Sequence, residues 1–113
     1  MAVVNVRVSH IRPTYQNLKE WCDDPNNVYI GRGRIVFIDG MRFPKEDSIW
    51  ANHFKIDKDN TREQVLEKYR EYLKKDDYLM GKLHELRGKR LGCWCKPEAC
   101  HGDILLELIN KVE

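Results

Sequence analysis

The chain opens on Val3-Val4-Asn5-Val6-Arg7-Val8, a β-branched and partly alternating run that predicts a strand. Residues 10–26 are polar and irregular, with Pro13, Pro25 and Asn26-Asn27 as breakers, so no regular element is expected there. Val28-Tyr29-Ile30 predicts a second short strand, ending at Gly31-Arg32-Gly33. Ile35-Val36-Phe37-Ile38, then Asp39-Gly40, then Met41-Arg42-Phe43-Pro44 predicts a hairpin, because Asp-Gly suits a two-residue turn that needs positive φ.

The period then changes from two to 3.6. Asn60-Thr61-Arg62-Glu63 reads as a capping box with Asn60 at the N-cap and Glu63 three residues on. The helix that follows places Val65, Leu66, Tyr69, Tyr72 and Leu73 on one face. A second helix begins near Asp76, carries Leu79, Leu83 and Leu86, and closes at Gly88. Lys89 to Cys95 is expected to be a strand, with Leu91, Cys93 and Cys95 pointing one way and Trp94 the other. Ile104, Leu105, Leu108, Ile109 and Val112 form the apolar stripe of a last helix.

Strands, two helices, a strand and a helix in that order predict an α/β fold. It is a small three-layer-like domain, with a short, mostly parallel sheet, a hairpin insertion and about three helices. Ligands of parallel sheets gather at the carboxyl ends of the strands. Arg7, Gly31-Arg32-Gly33 and the segment from Cys95 onward all fall at such ends, so they are expected to share one rim.

Length and composition narrow the class. The 113 residues suit a single domain over 1–113. Hydrophobic residues at 42% against charged residues at 34% describe a folded rather than a disordered chain. A net charge of +2 neither requires nor excludes a nucleic-acid partner. No apolar run is long enough to span a membrane, so no membrane partner is expected. The N-terminus lacks a secretory pattern, so the expected location is the cytoplasm, or the host cytoplasm for a viral chain.

The four cysteines change the picture most. Cys93, Cys95 and Cys100 crowd together beside His101, whereas a disulfide framework spreads its cysteines to staple distant loops. Clustering points to metal binding or thiol chemistry. In one reading Cys93, Cys95, Cys100 and His101 hold zinc in a closed structural site. In the other, Cys100 and His101 sit in the first turn of a helix, where unpaired N–H groups favour a thiolate or a bound anion. Cys100 is then a nucleophile, His101 a general base and Asp103 its orienting partner.

Gly31-Arg32-Gly33-Arg34 can form a backbone nest for a phosphate. Trp50 and Phe54 flank Asn52-His53 in a pattern that suits a stacking pocket.

These segments together resemble a known family. Asn5-Val6-Arg7, Tyr29-Ile30-Gly31-Arg32-Gly33, Trp50-Ala51-Asn52-His53-Phe54, Thr61-Arg62-Glu63 with Tyr69, and Leu91-Gly92-Cys93-Trp94-Cys95-Lys96-Pro97 leading into Cys100-His101-Gly102-Asp103 are similar to the "domain of unknown function 4326" family. Asn52-His53-Phe54 departs from that family's Asn-Pro-Phe. The resemblance implies a small protein of bacterial, phage or large-virus type and carries no established activity.

The functional expectation is a pocket at the strand ends for a phosphorylated, nucleotide-like small molecule. Arg7, Gly31, Arg32, Asn52, Trp94 and Cys95 are the expected binding residues, and Cys100, His101 and Asp103 the catalytic ones of a hydrolase or transferase. The alternative is a non-catalytic module, stabilised by zinc, that sequesters a nucleotide or contacts nucleic acid or protein. Arg32, Arg34 and Arg90 are the residues that would contact nucleic acid. Sequence alone leaves catalysis and metal binding open.

Overall fold

The computed structural model describes residues 2–96 and 98–111. Val112, expected in the last helix, lies outside them, as does Pro97. Three strands, β1 (Ala2–Asn5), β2 (Asn27–Tyr29) and, late in the chain, β5 (Arg90–Cys93), form a parallel sheet in the order β1-β5-β2. Val3 and Val28 both pair in register with Leu91. A separate antiparallel hairpin joins β3 (Val36–Ile38) to β4 (Met41–Phe43). Its turn has the expected conformation, with Asp39 at φ 53° and Gly40 at φ 80°.

Side chains alternate across the sheet and so build two cores. On one face Leu91 and Cys93 pack with Val3 and Val28 against three helical elements. These are α3 (Arg62–Lys75), α4 (Asp77–Lys82) with its 3-10 extension Leu83–Leu86, and α5 (His101–Lys111). Val65, Tyr69 and Leu73 are buried from α3, and Leu105 and Leu108 from α5, as their spacing predicts. Tyr72 departs from the expected face and is exposed against Phe54. On the other face Val6, Ile11, Leu18 and Trp21 form the second core, to which the hairpin adds Val36, Ile38 and Phe43. Helices, sheet, and helices with hairpin are the three layers expected from the sequence.

Several boundaries differ from the sequence reading, each for a local reason. The first strand stops at Asn5, because the Asn5 side chain accepts the Arg7 N–H at 2.9 Å and turns the chain. Val8 therefore opens a short helix, α1 (Val8–Ile11), and is exposed. A second helix, α2 (Leu18–Asp23), occupies the stretch expected to be irregular. Asn17 caps it by accepting the Glu20 N–H, while Glu20 accepts the Gln16 N–H. The capping box of α3 lies one residue later than expected: Thr61 accepts from the Gln64 N–H and Gln64 accepts from the Thr61 N–H. The strand expected to reach Cys95 ends at Cys93.

Candidate functional site

The carboxyl end of β5 lies between the ends of β1 and β2, and α5 starts close above it. Gly102 allows that approach: a Cβ there would fall 2.8 Å from Val3 Cγ1 and 3.0 Å from Ile30 Cδ1. Cys100, the residue before α5, caps the helix. Its sulfur accepts the Gly102 N–H, and the Asp103 carboxylate reaches back to the Cys100 N–H at 3.0 Å. Asp103 also pairs with Lys96 at 2.7 Å, and the Lys96 carbonyl accepts from the Asn5 side chain at 2.6 Å. The loop after β5 is thus tied to both neighbouring elements.

This arrangement corrects three expectations. The start of α5 is not an open anion site, because the chain's own Cys100 sulfur and Asp103 carboxylate occupy it. Cys100 is buried and serves as a cap, so it is not positioned as the reactive thiol. Asp103 does not line the cleft and orients the helix start rather than His101. The expected nest at Gly31-Arg32-Gly33-Arg34 is likewise filled internally: the Gly33 N–H donates to the Asp47 carboxylate at 2.7 Å, and the Arg34 N–H donates to the Pro44 carbonyl at 2.6 Å.

What remains open is a cleft of about 430 Å³ at the strand ends. Gly31, Arg32, Asn52, Trp94, Cys95, Cys100 and His101, all expected from sequence, do line it, although Cys100 and His101 are themselves buried. Arg7 does not: it is exposed at the start of α1 and plays no part in the lining. Arg32 is held in place by donating Nε and Nη2 to the Asn52 carbonyl at 3.3 and 3.1 Å. The Trp94 indole donates to Tyr29 Oη at 2.8 Å, and Tyr29 in turn donates to the Arg32 carbonyl at 2.6 Å. Arg62, on the first turn of α3, read in the sequence as either a second anion ligand or a surface charge, is the second cationic wall. It donates to the Ala99 carbonyl at 2.9 Å. Its sequence signal was its place just inside a capped helix, which sequence reads equally well as a surface charge. Ile35, Phe54 and Ile56 complete the apolar side.

The sulfurs differ sharply in character. Cys93 is buried at the end of β5, with its Sγ 3.2 Å from Cys100 Sγ. Cys95 is exposed in the cleft. Interaction with the neighbouring Cys93 thiol, aided by the Arg62 and Lys96 charges and opposed by partial burial, brings the Cys95 thiol down to about 6. Hydrogen bonding to the other sulfurs and burial push Cys93 the opposite way, so it keeps its proton. A single S–H donates to one sulfur at a time. Cys93 lowers the Cys100 thiol as well, so the two sulfurs compete for one S–H; Cys95 is the exposed one, and the thiolate is assigned to it.

His101 directs Nε2 to the Ile30 carbonyl at 2.7 Å and meets the Tyr69 ring edge-on. Burial lowers its pKa, which leaves it neutral at pH 7 with Nε2 protonated. The four-ligand zinc set is not assembled, since His101 is turned to the backbone. Among the described residues no group of three or more His, Cys, Asp or Glu is arranged to hold a metal ion. Arg90 lies at the opposite end of β5 and is bound to Asn27, Tyr15 and Asp24, so Arg32, Arg34 and Arg90 form no common basic face. No helix among the described residues is long and apolar enough to cross a membrane.

Comparison with known proteins agrees with the resemblance carried by the cysteine segment. An uncharacterized 12.4 kDa protein in the nrdA-td intergenic region of Enterobacteria phage T4 is 36% identical over 70 residues, covering 58% of this chain. The chain spans 63% of that relative's length. An uncharacterized protein of Acanthamoeba polyphaga mimivirus is 33% identical over 111 residues, covering 91% of this chain and 78% of the relative. No solved structure matches. A family model matches residues 14–111, nearly all of the architecture described above, and the chain belongs to the family described as Domain of unknown function (DUF4326).

Proposed function

We propose that the chain binds a small phosphorylated, nucleotide-like ligand in the strand-end cleft. One observation carries this reading: Arg32 and Arg62, brought from distant parts of the chain, line the same cleft as Trp94 and Phe54. Guanidinium forks match phosphate oxygens in pairs, and aromatic faces accept a base. The cleft volume falls within the range of small-molecule sites. The reactive group of a hydrolase or transferase reaction is assigned to Cys95 rather than Cys100, since Cys95 is exposed and ionised beside Arg62. His101, with Nε2 protonated, supplies an unprotonated ring nitrogen at the same cleft as proton acceptor.

Calorimetric titration with nucleoside mono-, di- and triphosphates tests the reading. Saturable binding is expected, weakened about tenfold or more by Arg62→Gln through loss of a charge-assisted bond. Arg34→Gln, at an exposed position outside the cleft, should leave it unchanged. No binding to the wild type, or an equal loss in both variants, overturns the proposal.

A further inference from the structure

We propose that Cys93, Cys95 and Cys100 form a thiol–disulfide exchange site for low-molecular-weight disulfides, attacked by Cys95 and closed as a buried Cys93–Cys100 disulfide. Nucleotide binding is not part of this reaction, and the proposal does not rest on it.

The placement of the sulfurs carries the inference. Cys93 Sγ and Cys100 Sγ are 3.2 Å apart, and a disulfide needs about 2.05 Å, so a shift of about 1.2 Å closes the bond. Cys93 and Cys100 are 1% and 2% exposed, so a dissolved disulfide reaches neither directly. Cys95 is exposed, stands two residues from Cys93 and lines the same cleft as Cys93 and Cys100, which places one accessible sulfur beside the buried pair. Cys22, the remaining cysteine, belongs to the other core, across the sheet.

The reaction balances in three displacements. The Cys95 thiolate attacks one sulfur of RS–SR, forming Cys95–S–S–R and releasing RS⁻. Cys93 gives its proton to that RS⁻ and attacks the Cys95 sulfur; a Cys93–Cys95 disulfide forms and a second RS⁻ leaves. Cys100 gives its proton to the second RS⁻ and attacks the Cys93 sulfur, which forms Cys93–Cys100 and returns Cys95 as thiolate. Overall, one RS–SR is reduced to two RSH while the Cys93 and Cys100 thiols are oxidised. The low pKa of Cys95 keeps the attacking sulfur ionised at neutral pH and makes it the better leaving group in the last step.

The test incubates the reduced folded protein with oxidised glutathione, traps free thiols by alkylation, and maps the linked peptides by mass spectrometry. A Cys93–Cys100 link with Cys95 free and alkylated is expected. Cys95→Ser should slow its formation about tenfold or more, because the buried pair loses its accessible partner. Cys100→Ser, which keeps a hydroxyl able to cap α5, should stop with Cys95 in a link to glutathione or to Cys93. Equally fast closure in Cys95→Ser overturns the relay, and a folded wild type that forms no Cys93–Cys100 link overturns the site.

Discussion

Cys93 Sγ lies 3.2 Å from Cys100 Sγ, which joins the last residue of β5 to the residue that caps α5. A sulfur here does the work that a hydroxyl does at most helix starts. Cys100→Ser should therefore keep the cap and leave stability nearly unchanged. Cys100→Ala should lose about 0.5–2 kcal/mol. Urea denaturation of both variants checks the difference, and equal losses would show that the sulfur does not cap the helix.

The contact between α5 and the sheet depends on Gly102. Alanine ordinarily favours a helix over glycine by about 1 kcal/mol. Here the added Cβ would fall 2.8 and 2.9 Å from the two methyls of Val3. Overpacking of this kind costs about 1–3 kcal/mol, so Gly102→Ala should be net destabilising. An increase in its denaturation midpoint would contradict the close approach of α5 to β1.

Leu105 is fully buried in the core that contains Leu91 and Cys93. Leu105→Ala should lower unfolding free energy by about 2–5 kcal/mol, measured by denaturant titration. A loss typical of a surface site would refute the packing of α5 on the sheet.

Much of this core was legible in the sequence, because α3 and α5 carry stripes at helical spacing and the hairpin carries Asp39-Gly40. The missed helix α2 shows where local signals compete. Asn17 and Glu20 form a helix-start pattern, but Pro13, Pro25 and Asn26-Asn27 around it read as breakers. The alternation of Val4, Val6 and Val8 similarly extended β1 too far, since the bond from the Arg7 N–H to the Asn5 side chain ends the strand. At the site, the sequence located the cysteine segment but not the division of labour within it. Exposure of Cys95, burial of Cys100 and the arrival of Arg62 are set by tertiary packing, which no spacing of residues encodes.

Alkylation of Cys95 should follow its ionisation. The rate at which iodoacetamide modifies the Cys95 peptide should titrate with a midpoint near 6 rather than the ordinary value of about 8.5. Arg62→Gln should raise the midpoint by removing a neighbouring positive charge. The stabilisation from this lowered pKa is fully present above the unfolded thiol's pKa and is lost as pH falls through about 6. A midpoint at the ordinary value, or faster modification of Cys100 than of Cys95, would reverse the assignment of the two sulfurs.

The most direct measurement of the cleft's role is protection of Cys95 by nucleotide. Cys95 and both arginines line one cleft, so a ligand bound there must cover the sulfur. Alkylation of the folded protein is followed by peptide mapping with and without a saturating nucleoside phosphate, and Cys22, in the other core, serves as the internal reference. The expected result is slower modification of Cys95 with no change at Cys22, and in Arg62→Gln a protection that needs about tenfold or more ligand. Unchanged modification of Cys95 across nucleoside mono-, di- and triphosphates would contradict the assignment of this cleft as a nucleotide site.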